Sequence, residues 1–286
     1  MANTILLRRR IKTAQNVSKT TKAMEMIAAS KLKKAQHQAV VSRPYVNKLS
    51  DLTMSLASQR VTETYAYITP AKQKAQTLYV LIGPDKGLCG GLVTNLMREF
   101  MKLRHDPEAR FITIGKKLEG PVATLAKEKL LATFHFGTTL PAYSQIFPII
   151  ELINSAYLSG QVSKVVLIAP HFHSLFSQVP TAVQLLPVPV QEQDASVTAD
   201  MTFEPSADEL LPHVLKQYIE MVLYQQFLES FASEQASRMM AMQNATKNAK
   251  EIVSSLKLLY NKARQERITK EILDISSAAI ALAAEN

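Results

Sequence analysis

Residues Gly83 to Gly91 read GPDKGLCGG and follow the apolar run TLYVLI, which ends at Ile82. A glycine-rich turn between a buried strand and a helix is where backbone N–H groups can cradle a phosphate. The spacing fits neither known loop, because G-x-x-x-x-G-K-[ST] is absent and the glycines do not fall in the order G-x-G-x-x-G. Gly87, Gly90 and Gly91 therefore read as a tight structural turn. His171 and His173 stand two apart in APHFHSLF and are of a type that binds metal. A metal needs three or four ligands, and no third His, Cys or acid cluster accompanies this pair. Cys89 has no base beside it, and the G-x-S-x-G elbow of a serine nucleophile does not occur. Met239, Met240 and Met242 read as helix-packing residues. The expectation is a chain with no catalytic residue, no cofactor, no metal and no directly bound nucleotide.

The other chemistry available is charge. Residues 1–43 hold ten basic side chains against Glu25 alone, which accounts for the whole net charge of +9. Such a segment attracts a polyanionic surface, whether nucleic acid, anionic lipid or an acidic protein. An Arg-rich, acid-poor start also suits a transit peptide, but the pattern runs on without a break into a long helical segment. The single cysteine precludes an internal disulfide and fits a reducing compartment. No run of eighteen uncharged apolar residues is present, so a soluble protein is expected.

The elements that must carry these residues follow from the helix breakers. All 8 glycines lie between Gly83 and Gly160, and 12 of the 13 prolines lie between Pro70 and Pro212, Pro44 being the exception. The chain is thus expected to form an N-terminal helix over 1–58, a central α/β domain over 59–212 and a C-terminal helix over 213–286. Ala14, Val17, Thr21, Met24, Ala28 and Ala35, with Lys31 in the missing slot, recur at three-four steps. Ala245, Ala249, Ile252, Leu256, Leu259 and Ala263 keep the same rhythm, and Ile268, Ile272, Ile275, Ala279 and Leu282 resume it after a slip. The fold class is therefore α/β: a long antiparallel two-helix coiled coil plus a Rossmann-like domain. The longer C-terminal helix should overhang its partner by roughly 25 Å, leaving the uncharged stretch ISSAAIALAA alone. Strands are expected from Thr77, Arg110, Lys164 and Thr181, with helices from Leu92 and around Pro148, alternating as in a mostly parallel sheet.

Three stretches resemble the gamma subunit of the F-type ATP synthase from end to end: RRRIKTAQNVSKTTKAMEMIAASKLKKAQ from Arg8, DKGLCGGLVTNL from Asp85, and SEQASRMMAMQNATKNAKE with LLYNKARQERITKEILDI near the C-terminus. The resemblance implies a nonenzymatic central rotor shaft. Its coiled coil would stand inside a hexamer of alpha and beta subunits, and its middle domain would sit with the epsilon subunit on a membrane ring of c subunits. Catalytic sites would belong to the beta subunits, and the complex would sit peripherally on the cytoplasmic face of a bacterial plasma membrane. The rival reading is a basic coiled coil that binds nucleic acid or serves as a scaffold. By residue match, Lys22, Met24 and Glu25 fall in the family's coupling region. Arg8, Arg9, Arg10, Lys19, Lys31 and Lys33 form a basic collar toward acidic loops of beta, and Arg238, Arg264, Thr269 and Lys270 form the C-terminal contact region. Ile275, Ala279, Ile280 and Leu282 would make an apolar bearing tip. Lys270 stands where relatives commonly carry Gln, Val93 where they carry Asn, and Ser276-Ser277 where they carry a glycine pair.

Overall fold

A computed structural model describes residues 2–58, 67–68, 76–189, 203–204 and 206–284, with the side chains of 2–3, 58 and 278–284 outside the description. The elements run α1 (Ala2–Ser58), β1 (Gln76–Ile82), α2 (Leu92–Leu103), β2 (Ala109–Ile114), α3 (Lys116–Leu125), β3 (Leu130–Phe134), α4 (Phe147–Leu158), β4 (Val162–Phe172), β5 (Gln178–Leu186) and α5 (Ala207–Ala284). By their contacts they divide into two compact units, Ala28–Met240 and Met1–Ile27 with Ala241–Asn286.

The larger unit is built on a five-stranded sheet in the order β3-β2-β1-β4-β5. β1 pairs in parallel with β2 and β4, β2 in parallel with β3, and β5 runs antiparallel to β4 at the edge. Side chains alternate across a strand, so β1 sends Leu78, Val80 and Ile82 to one face and Leu81 to the other. The first face packs against Ile149, Ile150 and Ile153 of α4, Leu49 and Leu56 of α1, and Leu215, Ile219 and Leu223 of α5. The second packs against Leu96 and Phe100 of α2 and Leu118 and Val122 of α3, with the Phe100 and Phe111 rings edge-on at 5.1 Å. Pro180 is tolerated within β5 because an edge strand needs no second row of hydrogen bonds.

Within this unit α1 and α5 run antiparallel. Leu32 and Ala35 cluster with Phe231, Ala232 and Ala236, whereas Ala39 and Ser42 meet Gln225. From Ile219 to Ala236 every residue of α5 is buried except Val222 and Gln226, which are half-buried. This stretch is enclosed by the sheet and α1, so its Glu, Gln and Ser side chains each need a partner.

In the smaller unit α1 and α5 meet again. Thr246 donates to the Thr21 hydroxyl at 2.8 Å, and Thr21 donates in turn to the Val17 carbonyl at 3.0 Å. A stripe of buried and half-buried positions on α1 runs Leu7, Ile11, Ala14, Ser18, Thr21 and Glu25 in the smaller unit and Ala28, Leu32, Ala35, Ala39, Ser42, Val46, Leu49, Thr53 and Leu56 in the larger, spaced alternately four and three, with Ser55 buried as well. On α5 the stripe runs Met242, Thr246, Ala249, Val253, Leu256, Tyr260 and Ala263. The expected seam is thus corrected by one position at six places, where Glu25, Leu32 and Thr246 also stand in the slots expected for the half-buried Met24, Lys31 and Ala245. Val17 is 47%, Ile252 53% and Leu259 55% exposed, and Ser18, Val253 and Tyr260 take their slots. Every described side chain from Arg264 to Ser277 is exposed, including Ile268, Ile272 and Ile275. α5 also starts before the expected 213: Pro212 lies inside it, as Pro44 lies inside α1. Both prolines face solvent, where the carbonyl four residues earlier, deprived of its N–H donor, can be hydrated.

Candidate functional site

In a doubly wound sheet the ligand crevice forms outside the carboxyl ends of the strands, where strand order reverses. Here that point lies at the end of β1, between β2 and β4, and the chain leaves it through the glycine turn. The turn bends sharply. Gly90 has φ +58°, and Leu88 has φ +61°, a left-handed conformation that a leucine adopts at a cost of about 1–2 kcal/mol. Leu88 is 62% exposed, so burial does not repay that cost. Gly91 precedes the first residue of α2, and Gly87 lies under the Lys117 side chain.

What holds the turn is α5. The Arg238 guanidinium donates to the carbonyls of Lys86 at 2.9 Å and Gly87 at 3.3 Å, and Ser237 donates to the Cys89 carbonyl at 2.6 Å. Ser233 donates to the Pro170 carbonyl of β4 at 2.9 Å. The turn thus presents carbonyl oxygens to a cation and a hydroxyl. A phosphate cradle needs the reverse polarity, N–H groups facing an anion. The Arg238 side chain is 12% exposed and pairs with Glu234 at 2.7 Å. Burial pushes the Glu234 carboxyl above its usual range, and the Arg238 charge opposes that rise. Burial likewise pushes the Cys89 thiol up, which keeps it neutral.

Asp85 fixes the other side of the turn. Its Oδ1 accepts from the Lys116 N–H at 2.8 Å, and its Oδ2 accepts from Phe136 at 3.1 Å and from Gly137. One carboxylate therefore joins the loops that follow β1, β2 and β3. Gly115 is required there, since a Cβ at its φ of +111° would lie 2.2 Å from the Gly83 carbonyl oxygen. A small cavity beside these groups is lined by Asp85, Gly115, Thr139, Phe227, Ser230 and Glu234.

The remaining residues singled out from the sequence fall elsewhere. On α1, Arg8, Arg9, Arg10, Lys19 and Lys33 are exposed, and Lys22 pairs with Glu25 at 2.8 Å. Met24 is half-buried, and Lys31 donates to the Thr138 carbonyl in the loop after β3. Arg264, Thr269, Lys270 and Ile275 lie exposed on α5, where Arg267 and Glu271 pair at 3.5 Å. Ala279, Ile280 and Leu282 belong to that helix, but their side chains lie outside the described residues. His171 faces Glu229 rather than a metal site, and its ring meets that of His173 edge-on at 4.8 Å. Among the described residues no group of three or more His, Cys, Asp or Glu is arranged to hold a metal ion, and no helix is long and apolar enough to cross a membrane. The sequence reading missed Asp85, Glu234 and Ser237. Its available signal was the polar run SEQASR inside a stretch with no breakers.

Fold and site together define the class: a doubly wound α/β domain bearing two long terminal helices, with its switch point filled by the second of them. The family described as ATP synthase matches residues 3–282. An ATP synthase gamma chain of Dehalococcoides mccartyi is 38% identical over 287 residues, covering 99% of this chain and 100% of its own. A gamma chain of Xylella fastidiosa is 35% identical, with 99% and 100% covered. The central stalk and c-ring structure of the Tetrahymena thermophila mitochondrial ATP synthase contains a chain of 25% identity and TM-score 0.60, covering 79% of this chain and 99% of that one. A chain of the Euglena gracilis mitochondrial ATP synthase has the same fold at TM-score 0.72 and 17% identity, covering 99% and 95%. The chain belongs to the ATP synthase gamma chain family.

Proposed function

We infer that this chain is the central rotor stalk subunit of an F-type ATP synthase, a noncatalytic coupler between ion flow through a membrane ring and ATP synthesis or hydrolysis in a hexamer of alpha and beta subunits. The observation that carries the reading is the match over residues 3–282, which takes in both long helices as well as the domain between them. The filled switch point supports the absence of nucleotide chemistry, because carbonyl oxygens bonded to Arg238 and Ser237 occupy the place a phosphate would need. The basic α1 face supports contact with acidic loops of the beta subunits, through Arg8, Arg9, Arg10, Lys19, Lys22 and Lys33. Exposed charges of this kind attract without fixing one register. Met24 and Glu25 belong to the same coupling surface, and Arg264, Thr269 and Lys270 to a second one on α5.

The uncovered apolar residues of α5, Ile268, Ile272 and Ile275, suit a sleeve of apolar loops in the hexamer, where rotation breaks few directional bonds. The central domain is assigned to the epsilon subunit and the c ring, and the complex to the cytoplasmic face of a bacterial plasma membrane. The nucleic-acid and scaffold reading has no support among relatives that match from end to end. Co-purification tests the function. Alpha and beta subunits should accompany the chain in salt-sensitive association, and the chain alone should neither bind ATP tightly nor hydrolyse it. Tight ATP binding by the isolated chain would overturn the reading.

A further inference from the structure

Torque that enters a sheet and leaves through helices must cross between them. Apolar packing resists separation and sets the angle between elements only within a scatter of about 15–20°. Directional bonds narrow that scatter, and they concentrate where α1, α5 and β4 of the larger unit meet. Glu229 of α5 is 7% exposed. Its Oε1 accepts from Arg43 of α1 at 3.4 Å and from Gln225 of α5 at 3.1 Å, and its Oε2 lies at ion-pair distance from Nδ1 of His171 on β4. Gln225 carries the connection further into α1, accepting from Ser42 at 2.6 Å and donating to the Ala39 carbonyl at 3.3 Å. Ser233 adds a second tie from α5 to β4, donating to the Pro170 carbonyl at 2.9 Å.

We propose that Glu229 is the joint that fixes the sheet against both long helices, and is thereby a positioning residue for mechanical coupling. This rests on the reading of the chain as a rotor stalk. A buried carboxylate is a costly way to fill a core, and a well-packed apolar side chain of similar volume is commonly as stable or more so. What the carboxylate adds is direction: it accepts from two elements on one oxygen and faces a third on the other. Oε2 faces Nδ1 of His171 at ion-pair distance without a well-aligned hydrogen bond among the described residues, and the His173 ring stands edge-on to that imidazole at 4.8 Å. The Arg43 side chain is 55% exposed, so removing Glu229 leaves its charge hydrated rather than stranded.

The test uses the complete complex with the full chain, in variants Glu229→Met and Glu229→Gln, measured for ATP hydrolysis and for ATP-driven ion pumping in the same vesicles. Glu229→Met keeps the volume and removes every polar tie. It should assemble and hydrolyse ATP as the unaltered complex does, while ions moved per ATP fall by about twofold or more. Glu229→Gln retains an acceptor for Arg43 and should recover part of that loss. An unchanged ratio of pumping to hydrolysis in Glu229→Met overturns the proposal. If that variant does not assemble, Glu229→Gln decides by the same ratio, a fall supporting the joint and an unchanged value overturning it. An unaltered chain that does not associate with alpha and beta subunits would instead overturn the rotor reading, and would be seen before any variant is made.

Discussion

Replacing Arg238 with Met tests the hold of α5 on the glycine turn. The change keeps most of the aliphatic stem and deletes the guanidinium, and with it the 2.9 Å bond to Lys86 and the 2.7 Å pair with Glu234. The contacts to the Gly87 carbonyl, at 3.3 and 3.4 Å, go with them, one sharing its nitrogen with the Lys86 bond. A hydrogen bond from a charged group is worth about 1.5–3 kcal/mol, and stripping one partner from a buried ion pair costs about 3–5 kcal/mol. The single variant should therefore lose about 3–5 kcal/mol, mostly because Glu234 stays buried without its cation. Adding Glu234→Gln removes that stranded charge, so the double variant should lose only about 1–2 kcal/mol, the share of the carbonyl contacts. Urea unfolding of the full chain, compared across the two single variants and the double, measures the coupling. A single-variant loss under about 1 kcal/mol, or a double variant equal to the sum of the singles, would refute the reasoning.

Glu234 also sets a pH dependence. Its carboxyl is raised above the usual range by burial, so the native state favours the protonated form. That contribution is complete below the unfolded value, near about 4.3, and disappears as pH rises through the raised native value. Relative to Glu234→Gln, the unaltered chain should lose stability across that window, and urea midpoints at stepped pH will measure it. Leu88→Gly should stabilise the chain by up to about 1 kcal/mol, the relief of left-handed strain less the entropic cost of glycine, as read by thermal unfolding. Gly115→Ala should cost about 3 kcal/mol or more, because the added carbon meets the Gly83 carbonyl in a conformation open only to glycine. Cys89, buried and held neutral, should resist thiol reagents in the native chain and react on unfolding, which a colorimetric thiol assay will follow.

The long helices were legible because glycine and proline are nearly absent from them, β1, β2 and β4 because each contains an apolar run, and β5 because Ala182, Val183, Leu185 and Leu186 gather toward its end. α3 was not, since Gly120 and Pro121 sit inside it, and β3 was not, since its five residues form a half-exposed edge. The seam was read one position off at Val17, Met24, Lys31, Ala245, Ile252 and Leu259, because a three-four alternation and a four-three alternation share every second position and the apolar residues fit both. Thr246 shows how a polar residue can occupy a narrow seam, since its hydroxyl donates across the pair to Thr21, whose own hydroxyl reaches the Val17 and Ser18 carbonyls. The clamp on the turn stayed hidden because Ser237 and Cys89 lie 148 residues apart in sequence, and nothing local in either stretch announces the other. Arg238 was singled out for a partner contact, and the fold also ties its guanidinium to the turn.

The alternation of four and three along α1 and α5 has a mechanical corollary. Seven residues in two turns fall short of the natural pitch of an α-helix, so helices meeting along such a stripe wind about each other left-handedly. A rope with a built-in hand tightens when wrung one way and slackens when wrung the other.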